Sequence, residues 1–170
     1  MTKFETNLWT FLSQKTFLNF NLLERLNMAI NLALEVQKIS GKMSARTAHK
    51  DLKPSNIMLD ATGNLSIIDF GIAGTSTGSI SEGSSWGSCG TIAFLAPEQF
   101  TCKTQTYKVD IWALGKIFAL IIFEWSFGWR LLWSRKFLKP DEIKSLGPLV
   151  ELIDLIKNMI EVSNHYSTYC

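Results

Sequence analysis

The chain has 170 residues, 46% of them hydrophobic, which is enough to bury one sizeable core and too short to suggest several domains. Its formal charge of +2 is spread in mixed signs with no basic run, so neither a nucleic-acid surface nor a membrane-attracting charge block is expected. Cys89, Cys102 and Cys170 are odd in number and lack paired spacing, which argues against a disulfide framework or zinc site and for a reducing, intracellular setting, with the cytoplasm as the expected compartment.

The start, Met1-Thr2-Lys3-Phe4-Glu5, lacks the layout of a secretory signal. From Asn21 to Ile39, Leu22, Leu26, Ala29, Ile30, Ala33 and Val36 recur at helical spacing, with Glu24, Arg25 and Asn31 on other faces. Ser40-Gly41 is the predicted stop of this amphipathic helix, and a polar connector follows from Lys42 to Ala48. Ile57-Met58-Leu59 and Leu65-Ser66-Ile67-Ile68 flank Asp60-Ala61-Thr62-Gly63-Asn64, whose Gly and Asn suit a tight reversal, so a small hairpin is predicted. Gly, Ser and Thr dominate from Gly71 to Gly90, which predicts an unusually long loop.

Two helices are predicted beyond it. Val109 to Phe123 is nearly all apolar, and Pro148 to Val162 carries Leu149, Leu152, Ile153, Ile156, Met159 and Ile160 on one stripe, with Pro148 in its first turn. The apolar stretch from Ile111 to Trp133 is broken by Lys116, Glu124 and Arg130 into pieces too short to span a bilayer, so a helix buried on all sides is expected. No repeat or Pro-rich linker divides the chain.

Asp51 and Asn56 lie five residues apart, and Asp69 follows the hairpin, which can return its carboxylate to them. Such oxygen donors suit a hard divalent cation, and a carboxylate beside them suits orienting a hydroxyl for phosphoryl transfer. Taken singly, Asp51 reads more readily as a turn residue and Asn56 as a hairpin start. In combination they read otherwise. His49-Lys50-Asp51-Leu52-Lys53-Pro54-Ser55-Asn56, Asp69-Phe70-Gly71, Ala96-Pro97-Glu98 and Asp110-Ile111-Trp112-Ala113-Leu114-Gly115 resemble four successive motifs of the serine/threonine protein kinases, in order and suitably spaced over nearly the whole chain.

That resemblance implies a mainly α, α+β fold: the helical C-lobe of a kinase domain, with a small β-hairpin carrying the catalytic and magnesium-binding loops. It implies ATP and Mg2+ as cofactors and a protein with a Ser or Thr acceptor as substrate. Asp51 would be the catalytic base, Lys53 would lie near the transferred phosphate, and Asn56 and Asp69 would bind the nucleotide through magnesium. Thr91, Ala96, Pro97 and Glu98 would form the substrate loop, and His49, Asp110, Trp112 and Gly115 would be structural. Lys53-Pro54 and Gly90-Thr91 favour the Ser/Thr class over tyrosine kinases, and the Gly90 to Glu98 loop disfavours a small-molecule phosphotransferase.

Two departures from the family pattern stand out. Lys50 occupies the place of an arginine that often pairs with a phosphate on the Thr75 to Ser88 segment; lysine keeps the charge and loses the bidentate fork. The arginine that usually pairs with Glu98 falls near Ser167, and the region from Glu124 to Gly147 reads as compressed. By the same resemblance, residues 1–165 are a partial kinase domain and 166–170 a tail. Leu8-Trp9-Thr10-Phe11-Leu12 stands where a short helix follows the interlobe hinge, and no Gly-rich loop, strand lysine or helix glutamate of a small lobe is found in the sequence. The competing expectation is a non-catalytic, pseudokinase-like scaffold.

Overall fold

Strand β1, Phe4–Asn7, leads directly into helix α1, Leu8–Leu12. Asn7 makes the junction: its backbone is extended, and its side-chain oxygen accepts the Thr10 N–H at 2.9 Å, satisfying a donor that a helix start leaves over. The computed structural model describes residues 4–42, 48–69, 92–101, 106–123 and 150–161. Helix α2, Lys15–Leu18, buries Phe17 against Phe11 and Phe20, with ring centroids 5.5 to 5.8 Å apart.

Helix α3, Leu22–Lys42, begins with a reciprocal cap. The Glu24 N–H donates to the Asn21 side-chain oxygen at 3.0 Å, and the Asn21 N–H donates to the Glu24 carboxylate at 2.7 Å. The helix passes the predicted stop at Ser40-Gly41 and ends at Lys42, since one glycine costs a helix only about 1 kcal/mol. Its buried face is also turned from the expected one. Met28, Ala29 and Leu32 are buried and Leu26, Ala33 and Val36 pack partly against the core, whereas Leu22 and Ile30 are 42% and 56% exposed. Arg25, expected on an outer face, is buried. Its Nε donates to the Phe20 carbonyl at 3.0 Å and its guanidinium lies 4.8 Å from the centroid of the Phe17 ring, so the stem packs while the charge keeps partners.

The predicted hairpin is present as β2, Ile57–Asp60, and β3, Leu65–Ile67, with Ile57 opposite Ile67 and Leu59 opposite Leu65. Gly63 at φ 81 supplies the left-handed residue of the turn. Asp60 ties the turn together, its carboxylate accepting from the Thr62 N–H (2.9 Å), the Thr62 hydroxyl (2.7 Å), the Asn64 N–H (2.9 Å) and the Asn64 amide (3.1 Å). These bonds, led by those from the Thr62 and Asn64 side chains, hold the Asp60 pKa down at about 2. The hairpin is extended to three strands by β1, which pairs antiparallel on the other edge of β2, with Thr6 opposite Leu59 and an irregularity between Phe4 and Thr6.

Beyond the short helix α4, Glu98–Thr101, helix α5, Lys108–Ile122, runs through the core. Every residue from Val109 to Ile122 is buried except Ile111, as a helix apolar on all faces requires. It packs against α3 and against α6, Val150–Glu161, which contributes Ile153, Ile156 and Ile160. Gly115 sets how close α6 approaches: a Cβ there would lie 3.0 Å from Met159 Cβ and 3.2 Å from Ile160 Cγ1. Pro148 and Leu149 lie outside the described residues, as do the three cysteines and the segments 71–91 and 124–149. Among the described residues, no helix is long and apolar enough to cross a membrane. The result is a mostly helical fold with a small antiparallel sheet, the mainly α, α+β class expected.

Candidate functional site

The loop from Ala48 to Lys53 connects toward β2 through a single 3-10 turn, Pro54–Asn56, with Pro54 in the first-turn position where its missing N–H costs nothing. The loop is held from below by Asp110, in the first turn of α5. One carboxylate oxygen accepts the His49 N–H at 2.7 Å and the other the Lys50 N–H at 2.8 Å. Two N–H donors and a helix N-terminus favour the ionised carboxylate. Burial opposes them and is the larger effect, raising the Asp110 pKa above its usual value while the His49 and Lys50 bonds pull it down.

That grip holds an unfavourable backbone. Lys50 has φ 66, a left-handed conformation costing a side-chain-bearing residue roughly 1–2 kcal/mol. The Lys50 side chain is buried. Its carbonyl is fixed as well, accepting from the Gln99 amide at 2.9 Å. The His49 ring spans the loop: Nδ1 accepts from the Asp51 N–H at 3.3 Å, which makes Nε2 the N–H facing the Ile68 carbonyl at 3.0 Å. The Ile68 N–H in turn donates to the Asn56 carbonyl at 2.9 Å. Ile68 is thus sewn to the loop from both sides, and the next residue, Asp69, is exposed with φ 62.

Three of the residues singled out in the sequence meet at one oxygen. Asp51 Oδ2 accepts from Lys53 Nζ at 2.7 Å and from Asn56 Nδ2 at 3.0 Å. The same Asn56 nitrogen donates to the Asp51 carbonyl at 2.9 Å. Both amide hydrogens are thereby taken, which leaves Asn56 Oδ1 as the acceptor this buried side chain offers a ligand. Asp51 and Lys53 remain about one-fifth exposed, accessible to solvent and ordered by each other.

The Ala96-Pro97-Glu98 segment joins this centre through a residue the sequence reading missed. Gln99 is buried, donates to Lys50 as above, and accepts the Ala96 N–H at 2.8 Å on its Oε1. One amide therefore links the 96–98 segment to the loop holding Asp51. A glutamine following three motif residues carries no local signal of that role. Ala96 and Glu98 are buried, and Glu98 is engaged by its surroundings. Thr91 and Ser167 lie outside the described residues. Trp112 and Gly115 lie on α5 beyond Asp110, and the buried Trp112 indole N–H has no acceptor among the described residues.

The arrangement can do specific chemistry: an accessible carboxylate braced by a cation and an amide, beside oxygen donors, suits orienting a hydroxyl and holding a hard metal ion. Comparison with known proteins agrees with that reading. Residues 5–147 match the protein kinase domain family. Human serine/threonine-protein kinase 32B is 34% identical over 127 residues, 72% of this chain and 26% of the relative. CBL-interacting serine/threonine-protein kinase 12 of Arabidopsis thaliana is 41% identical over 75 residues, 44% of this chain and 15% of its own. The Drosophila melanogaster cGMP-dependent protein kinase, isozyme 1, is 36% identical over 111 residues, 64% of this chain and 12% of its own. The chain thus spans about a quarter or less of the length of these curated relatives. A chain in the crystal structure of the yeast RNA Pol II CTD kinase CTDK-1 complex shares the fold, with TM-score 0.56 and 21% identity over 70% of this chain and 37% of that one. The chain belongs to the protein kinase family, with serine/threonine kinases as its curated relatives.

Proposed function

We propose that this chain forms the large-lobe part of an enzyme that transfers the γ-phosphate of ATP to serine or threonine hydroxyls of a protein. The observation that carries the reading is the convergence of Lys53 Nζ and Asn56 Nδ2 on Asp51 Oδ2, at 2.7 and 3.0 Å. With Oδ2 occupied, Asp51 Oδ1 is the oxygen left to accept the proton of an incoming hydroxyl and to aim its lone pair. Lys53, beside it, is placed to release its hold on Asp51 and offset charge developing on the transferred phosphoryl group.

Asn56 Oδ1 and the Asp69 carboxylate are the oxygen donors proposed for magnesium. Two protein oxygens, with water and phosphate oxygens completing the shell, fit an ion that keeps several waters and takes few protein ligands. Magnesium, when bound, neutralises phosphate charge as the bond to the leaving group breaks. The chain's own contribution is to hold the two donors in register, which the Ile68–Asn56 and His49–Ile68 bonds accomplish. Thr91 through Glu98 would form the substrate loop, tied to Asp51 through Gln99. We place the molecule in a reducing compartment from its cysteines, and assign residues 1–165 to the large-lobe part of a kinase domain and 166–170 to a tail.

The test is transfer of labelled phosphate from ATP to a generic protein substrate in the presence of magnesium, with Asp51→Asn as the control. Where transfer occurs, it is expected to depend on magnesium and to be lost in Asp51→Asn. As the large-lobe part of a kinase domain the chain alone is expected to transfer weakly or not at all, and transfer that is equal in both proteins would overturn the catalytic role of Asp51 in favour of a scaffold.

A further inference from the structure

Helix α3 carries two apolar faces, and the core takes only one of them. At about 100° per residue, Ile30 lies roughly 200° around the helix from both Met28 and Leu32, which are buried. Leu23, Ile30 and Leu34 share that outward face and are 66%, 56% and 47% exposed. Large apolar side chains aligned along one exposed helix face form a patch of the kind that marks an interaction surface.

The spacing says what kind of partner fits. Leu23, Asn27, Ile30, Leu34 and Gln37 follow one another by alternating steps of four and three residues, the seam pattern of paired helices, and all five are exposed. Glu24, Asn31 and Lys38 run along one flank of that seam, each one residue after Leu23, Ile30 and Gln37. The flank is acidic at one end, neutral in the middle and basic at the other. Glu24 and Lys38 stand roughly 21 Å apart along the axis. The other charged residues between them are off the flank: Arg25 is buried, and Glu35 pairs with Lys38 within the helix.

A flank whose two ends carry opposite charge is complementary to a reversed copy of itself. We infer that this face binds the same face of a second copy of the chain, the two α3 helices packing antiparallel about a two-fold axis midway between Ile30 and Leu34. In that register Ile30 of each copy meets Leu34 of the other, and Asn27 meets Gln37, so apolar layers stack on apolar and amide on amide. Glu24 of each copy lies across from Lys38 of the other, which gives two ion pairs by symmetry. Lys38 can serve both carboxylates, since its ammonium has three donors and its exposed pair with Glu35 holds it weakly. A parallel pairing would set like charges level with each other and align the helix dipoles unfavourably.

Leu23 to Lys38 spans about 24 Å, a contact that suits a reversible dimer more than an obligate one. The opposite face of α3 stays packed on α5 and β3, so pairing needs no rearrangement of the core. The inference does not depend on the phosphotransfer reading.

Sedimentation equilibrium of the whole 170-residue chain, from about 5 to 300 μM and without nucleotide, tests it. A reversible shift from the mass of one chain to that of two is expected. Ile30→Gln/Leu34→Gln places good helix formers at two exposed positions and should dimerise at least about tenfold more weakly, with an unchanged circular dichroism spectrum. Lys38→Glu and Glu24→Lys each set like charges across the interface, and each should weaken self-association by about threefold or more. The Asn21 cap of α3 survives in Glu24→Lys because it binds the N–H of residue 24. An equimolar mixture of these two single variants regains both opposite-charge pairs and should dimerise within about twofold of the wild type. A wild type that stays monomeric throughout, equal association by the Ile30/Leu34 double variant, or a mixture no tighter than Lys38→Glu alone would overturn the proposal.

Discussion

Asp110 grips the backbone of His49 and Lys50 with one carboxylate oxygen each, at 2.7 and 2.8 Å, across 61 and 60 positions of sequence. The bond pair joins the start of the core helix α5 to the loop that presents Asp51, so the loop's geometry is anchored in the most buried part of the molecule. Asp110→Asn keeps one acceptor and turns an amide N–H toward the other backbone donor. The variant should lose about 3 kcal/mol of stability, within the cost of leaving a buried hydrogen-bonding group unmet. For a chain of this size that is a fall of roughly 6–12 °C in Tm, measured by thermal unfolding. A variant melting with the wild type would mean the grip is not required.

Gln99 bridges Lys50 and Ala96, at 2.9 and 2.8 Å, and is the one described side chain seen to tie the 96–98 segment to the loop. Gln99→Leu fills similar space and leaves a buried carbonyl and a buried N–H without partners, a cost of roughly 2–4 kcal/mol if neither finds water. If the proposed function holds, the same variant should raise the KM for protein substrate more than that for ATP, because the bridge orients the substrate loop. Steady-state kinetics with each substrate varied in turn checks this, and equal changes in both would assign Gln99 a purely structural role.

What was legible beforehand follows from how local each signal is. The α6 stripe of Leu152, Ile153, Ile156 and Ile160 was readable because a helix face repeats within a few residues, whereas the five-residue helix Leu8–Leu12 was expected only from the resemblance to the kinase family. The hairpin was readable because Gly63 and Asn64 advertise the turn. Strand β1 was not, since Phe4–Asn7 becomes a strand only by pairing with β2, whose Leu59 sits opposite Thr6. Arg25 and Gln99 were missed for a related reason: a polar side chain is buried only where distant groups meet its hydrogen bonds, and no periodicity encodes that. The loop from His49 to Asn56 was legible because its residue types are dictated by chemistry more than by packing.

Gly115 governs the closeness of α5 and α6. The contacts a Cβ would make, 3.0 Å to Met159 Cβ and 3.2 Å to Ile160 Cγ1, are to atoms near the partner backbone, which cannot swing aside as a side-chain tip would. Gly115→Val adds two further methyls into that seam and should cost about 2–3 kcal/mol by overpacking, despite valine's better helix propensity. Urea denaturation measures it. A variant as stable as the wild type would show that α6 moves away freely.

Lys116 is buried at 6% exposure on α5, with Nζ 5.2 Å from the Trp112 ring centroid. Burial lowers its pKa from 10.5 to about 8. The sign follows from proton binding. Between pH 8 and 10.5 the unfolded chain holds a proton on this lysine that the folded chain has released, so stability rises with pH across that window. Below the window both states are protonated and the folded state bears the full cost of the buried charge, on the order of 3 kcal/mol. Lys116→Met keeps the stem and removes the charge. The stability of the wild type relative to this variant should therefore be lowest at pH 7.5 and should climb through pH 9.5, as read from urea denaturation at each pH. Parallel pH profiles for the two proteins would show that the Lys116 ammonium is not strained by its setting, and that the Trp112 ring compensates its loss of water.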